Sequence, residues 1–213
     1  MKSTKPGFST LNDLLGRIER IFLSVLIGLL PLLVLGLAGW WISIPFVKEE
    51  QIVYYALAGL FAGILVDLVF LRRWTRKALT SSIIWPAAVY LLYSVGVFGF
   101  FMGVPAFNLL LGPVWGYFMG IRLRAKHADK TEMERTARQS GFFTASVFAL
   151  ACVAALVLAW LDPSLEANIQ GMFGLATPLG RSMILGLSAV AGLALIALEY
   201  LLTSVAVKFS AFQ

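Results

Sequence analysis

Residues 21–74 read IFLSVLIGLLPLLVLGLAGWWISIPFVKEEQIVYYALAGLFAGILVDLVFLRRW. The first part, 21–42, holds no charged residue. About 20 apolar residues are enough for a helix to cross the hydrocarbon core of a bilayer. A turn carrying Lys48, Glu49 and Glu50 follows. A second apolar run, 52–71, then stops at Arg72 and Arg73. The apolar stretch that begins at Ile21 is too long for a signal-peptide core and lacks a small-x-small cleavage site, so it is read as a retained first crossing.

Composition extends that reading to the whole chain. Of 213 residues, 60% are hydrophobic and only 13% are charged, with a mean hydropathy of +0.87. Soluble domains carry about 25% charge. Further apolar runs at 82–102, 104–121, 142–161 and 181–207 bring the expected number of crossings to six. The fold class expected is an all-α membrane protein, a bundle of transmembrane helices. Segment 1–20 is a cytoplasmic amphipathic piece, 21–207 the transmembrane domain, and 208–213 a cytoplasmic tail.

The connections alternate in charge. Residues 1–20, 72–81, 122–141 and the tail hold fifteen Lys/Arg between them, whereas the intervening connections hold only Lys48 and Arg181. The positive-inside rule puts the rich side in the cytoplasm, with both termini there, which points to the cytoplasmic (inner) membrane. The same distribution accounts for the net charge of +6 without nucleic acid as a partner. Trp40, Trp41, Tyr54, Tyr55 and Trp160 fall at expected outer ends and Trp74 at an inner one, as interfacial anchors do.

Three polar or amphipathic pieces lie outside the runs. Residues 8–20 place Leu11, Leu14, Leu15 and Ile18 on one helical face and suit the inner leaflet surface. Residues 127–140 are too polar for lipid and read as a solvated extension of the fourth or fifth helix. Within the outer segment 162–180, Asp162 and Pro163 predict the N-cap and first position of a short surface helix over 163–173.

Polar and small residues mark the faces that turn inward. Asn108, Gly112, Gly116 and Gly120 recur at four-residue steps and share one helical face. Pro113 inside that run predicts a bend and a free carbonyl at Leu109. The stripe is read either as close helix packing or as a polar backbone site. Tyr55, Gly59, Gly63 and Asp67 form a second stripe, and Ser188, Gly192, Glu199 and Thr203 a third. Each of the last two carries a carboxylate on the face that small residues mark as interior. A charge turned to lipid near the bilayer centre costs about 2.5 kcal/mol or more.

Asp67 precedes Arg72 by five residues, roughly 7.5 Å of helix, and Glu199 precedes Lys208 by nine, roughly 13 Å. Both fall in the cytoplasmic half, with Glu199 the deeper. Three readings fit them. They are structural, paired with interfacial arginines or hydroxyls; they hold a cation or proton, since burial favours the neutral form of a carboxyl; or they recognise an amine-bearing solute. Asp67 and Glu199 are expected to approach one another inside the bundle.

Catalytic and metal signatures are absent from the sequence. There is no phosphate-binding glycine loop, no H-E-x-x-H and no G-x-S-x-G, and the one cysteine, Cys152, and one histidine, His127, cannot build a metal cluster. No enzyme activity, cofactor or metal is expected.

Residues 112–120, GPVWGYFMG, resemble the G-P-x-x-G-Y-x-x-G element of the biotin-type substrate-binding subunits of energy-coupling-factor vitamin importers. The resemblance covers nine residues. It implies a solute-capture subunit that works with a coupling membrane protein and ATPases. The function expected from the residues themselves is transport of a small solute or ion, alone or as one subunit. The competing expectation is a non-catalytic membrane scaffold. Its glycine faces would pack against other membrane subunits, and its loop 122–141 would dock a cytoplasmic partner or anionic lipid.

Overall fold

A computed structural model describes residues 6–101, 103–174 and 179–212, with the backbone path alone for 6–15, 172 and 173. Lys2, Lys5, Met102, Gln213 and the amphipathic face of Leu11, Leu14 and Leu15 lie outside the residues and side chains described. All regular structure among the described residues is helical, and the chain divides into two compact units, Met1–Ser82 and Ile83–Gln213.

The first unit is a hairpin of α1 (Pro6–Ser43) and α2 (Glu49–Ala78). The amphipathic segment and the first apolar run form one uninterrupted helix rather than two pieces. Pro31 lies inside α1. Ser43, whose hydroxyl donates to the Trp40 carbonyl at 2.8 Å, closes α1, and Pro45 two residues later cannot continue it. Glu49 and Glu50 sit in the first turn of α2, with Arg76 and Lys77 in the last, an arrangement that suits the helix dipole at both ends.

The Tyr55, Gly59, Gly63, Asp67 stripe is the seam of this hairpin. A side chain at Gly59 would collide with the Leu35 carbonyl, and one at Gly63 would lie 2.8 Å from Leu32 Cα. Gly39 of α1 returns the relation against the Tyr55 carbonyl. These glycines let two backbones touch within one chain.

The second unit comprises α3 (Ile84–Phe100), a 3₁₀ turn over Pro105–Leu110, α4 (Leu111–Ala125), α5 (Lys130–Leu161), α6 (Leu165–Phe173) and α7 (Arg181–Phe212). Helix α7 packs along both α4 and α5. Pro113 does not bend a helix at mid-length. It falls in the first turn of α4, where the break is a change from 3₁₀ to α geometry at Leu110–Leu111. A proline there gives up an N–H of the kind that first turns leave unpaired in any case.

The polar residues 130–140 extend α5, not α4. Asp129 caps that helix, its carboxylate accepting from the Glu132 N–H at 2.7 Å. Helix α4 ends in a Schellman turn. The Ala128 N–H reaches the Leu123 carbonyl at 3.1 Å and the His127 N–H reaches Arg124 at 3.0 Å. His127 takes the left-handed conformation there, with φ 53°.

Among the described residues, four helical stretches are long and apolar enough to cross a membrane: Gly16–Ser43, Glu49–Ala78, Lys130–Leu161 and Arg181–Phe212. The expected crossings at 82–102 and 104–121 are shorter, a 17-residue apolar helix and a 15-residue helix behind the 3₁₀ turn. Large apolar side chains are widely exposed, Leu68 by 78% and Phe100 by 81% among them. An apolar surface of that extent is compatible with contact with a lipid bilayer.

Candidate functional site

The second unit buries three polar side chains completely, Glu199, Thr144 and Thr203, and of these only Glu199 is ionisable. It lies on α7, with no solvent exposure. The Tyr90 hydroxyl of α3 donates to its Oε1 at 3.3 Å, while Oε2 is buried without a partner. Below it on the same face of α7 come Thr203, Val207 and Ser210, all buried. The upper part of the stripe departs from expectation. Ser188 is exposed, and Gly192 packs beside Cys152 of α5.

The glycine stripe of α4 runs along this face. A Cβ at Gly112 would collide with the Glu199 carboxyl and the Thr203 hydroxyl. One at Gly116 would strike the Thr203 carbonyl, and one at Gly120 the Ser210 side chain. Of the two readings of the stripe, close packing accounts for all three glycines. Thr203 and Thr144 of α5 share a hydrogen bond of 2.8 Å, both wholly buried. Thr144 also donates to the Gly141 carbonyl at 3.2 Å.

Asn108 sits in the 3₁₀ turn, 2% exposed. Its Nδ2 donates to the Ser94 carbonyl at 2.8 Å and to the Ser94 hydroxyl at 2.9 Å. Its Oδ1 is buried without a partner, as is Trp115 Nε1. Trp115, Tyr90 and Phe143 close the site with ring centroids 5.2–5.5 Å apart. Gly112 and Glu199 therefore belong to one buried cluster, and Asn108 joins it through Ser94, one helical turn from Tyr90 on α3. Tyr90, Ser94, Trp115 and Thr144 join it without having been singled out in the sequence. Tyr90 and Ser94 are four residues apart in an otherwise apolar run, a helical spacing that could have revealed them.

Asp67 belongs to the first unit. It is half-buried on α2, with Oδ2 3.4 Å from where a Gly28 side chain would begin, and its Oδ1 is buried without a partner. Among the described residues, no group of three or more His, Cys, Asp or Glu is arranged to hold a metal ion.

A second polar assembly joins α5, α6 and α7. Asp162 accepts from the Ser164 N–H at 2.8 Å and its hydroxyl at 2.6 Å, so α6 begins two residues later than the sequence predicts. Those bonds hold the Asp162 carboxyl below the usual carboxylate range. Arg181, at the start of α7, donates to the Asp162 carbonyl at 2.6 Å and the Trp160 carbonyl at 3.3 Å. Its own N–H donates to the Glu166 carboxylate at 3.1 Å. Arg181 thus caps the C-terminal end of α5 while α6 caps α7.

Comparison of the chain with protein-family models, curated proteins and solved structures returned no match.

Proposed function

We propose that this chain is a carrier, or the membrane subunit of a carrier, that moves a small solute or ion and is not an enzyme, with Glu199 at the centre of its binding site. The observation that carries the reading is the fully buried Glu199 carboxyl. One of its oxygens has no partner, and no Lys, Arg or His is paired with it among the described residues. An ionisable group placed at that cost inside apolar helices marks a substrate or ion pathway by default. Asn108 adds a second buried acceptor in the same unit. Asp67 is the further candidate carboxylate, tested by its own substitution.

The topology that goes with this function is six crossings in the cytoplasmic membrane with both termini inside. The division of fifteen Lys/Arg against two supports it. Helix α3, about 25 Å long at 1.5 Å per residue, and the 3₁₀–α4 segment would supply the two shorter crossings. The scaffold reading loses one of its supports, because the glycine faces of α2 and α4 are occupied by α1 and α7 of the same chain.

The test is uptake by purified protein in liposomes, screened with protons, alkali cations and amine-bearing solutes. Glu199→Gln should insert and remain monodisperse yet move nothing. A fully active Glu199→Gln protein would make the carboxyl structural and end this reading. Asp67→Asn, assayed alongside, shows whether the first unit contributes a site residue.

A further inference from the structure

Two buried acceptors in the second unit lack a donor, Glu199 Oε2 and Asn108 Oδ1. The Asn108 amide cannot be turned over to relieve this, because its Nδ2 donates to the Ser94 carbonyl, which only accepts. Both acceptors are reached from one face of α3, because Tyr90, which donates to the Glu199 carboxyl, stands one helical turn from Ser94, which Asn108 holds. An occupant between two acceptors has to bring hydrogen or positive charge.

Size narrows the choice. A single methyl group at Gly112 would collide with the Glu199 carboxyl and the Thr203 hydroxyl. On that side of the carboxyl, at Oε1, there is no room for an organic amine or a hydrated metal ion. A bare metal ion needs several oxygen ligands, and among the described residues no group of three or more His, Cys, Asp or Glu is arranged to hold one. A proton needs no volume.

We propose that Glu199 carries an exchangeable proton on Oε2, donated toward Asn108 Oδ1, and that this proton is the ion the protein moves; the second clause rests on the transport reading above. Loading forms one O–H bond on the carboxylate and release breaks it, with no change of oxidation state. Among the described residues, the titratable group bonded to Glu199 from another element is Tyr90 of α3. The 3₁₀ turn, α4 and α5 present Asn108, Gly112 and Thr144, none of which titrates. Cys152 of α5 lies against Gly192, seven residues away along α7.

The experiment is infrared spectroscopy of the full chain in lipid vesicles, with and without ¹³C-glutamate, across a pH series. A protonated-carboxyl C=O band is expected at neutral pH. It should move on glutamate labelling, fade reversibly as pH rises, vanish in Glu199→Gln and shift to higher frequency in Asn108→Leu. Glu199 is the only glutamate within the apolar runs, so the label assigns the band even if a variant fails to fold. Carboxylate bands alone, from acid to neutral pH, would overturn the proposal. A band whose pH midpoint moves with sodium concentration would overturn it in favour of a metal-ion site. A titrating Glu199 band together with normal uptake by Glu199→Gln keeps the proton and discards the transport reading. Lost uptake without a band does the reverse.

Discussion

Gly112 of α4 and Glu199 of α7 approach so closely that a methyl group on the glycine would occupy the space of the carboxyl. The contact ties a packing feature to a chemical one, because the buried acid is held in place by an absent side chain. Gly112→Ala should therefore destabilise the protein by about 1–3 kcal/mol, the usual cost of overpacking. Gly116→Ala should cost at least as much, since its added carbon meets the Thr203 backbone carbonyl, which cannot rotate away. Gly186→Ala on α7, with open space around it, should be neutral or gain up to about 1 kcal/mol from helix propensity. Thermal unfolding in one detergent ranks the three.

His127 predicts a gain. It holds the left-handed position that closes α4, with φ 53°, where a residue with a Cβ is strained by about 1–2 kcal/mol. His127→Gly should raise the melting temperature, and His127→Val should lower it. If both variants melt with the wild type, the left-handed turn does not contribute to stability in solution.

The Asp162 turn gives a pH dependence with a defined sign. Hydrogen bonds from Ser164 hold the carboxyl below its ordinary value of 3.8. The folded turn thus binds its proton less readily than the unfolded chain. Its contribution is complete above the ordinary value and is lost as pH falls through the lower folded value. Exchange protection of the Ser164 amide should follow that course. Asp162→Asn, which can still accept from Ser164, should flatten it.

Much of the first unit was legible in sequence because its seam is made of glycines at a strict four-residue step. The α2 stripe from Tyr55 to Asp67 meets α1 as periodicity requires. In the second unit the same rule found Asn108, Gly112, Gly116, Gly120, Glu199 and Thr203. It failed at Ser188, because helical spacing gives a face but not the length over which that face is covered. Pro113 reads as a kink in the sequence because sequence does not show where a helix begins, and a proline in a first turn looks the same as one at mid-helix. Thr144 is silent in the sequence because a threonine among alanines and phenylalanines in α5 carries no signal until its partner is placed across from it. Arg181 was legible as the start of a helix but not as its anchor, because its acceptors are backbone carbonyls.

The Thr144–Thr203 pair makes the sharpest energetic prediction. Their hydroxyls are 2.8 Å apart and wholly buried. Each hydroxyl has one hydrogen to donate. If Thr144 gives its own to the Gly141 carbonyl, Thr203 donates to Thr144. Thr144→Val then strands the Thr203 hydroxyl, whereas Thr203→Val leaves Thr144 with Gly141. The first substitution should cost more than the second, with about 1–3 kcal/mol as the scale for an unpaired buried group. The double variant replaces both hydroxyls by methyls of similar shape and should recover part of that loss. The coupling should be about 0.6 kcal/mol, typical of hydrogen bonds between membrane helices. A four-member cycle of unfolding in detergent measures it. Equal costs for the two single variants would reverse the donor assignment, and a coupling near zero would mean that the pair contributes no more than its packing.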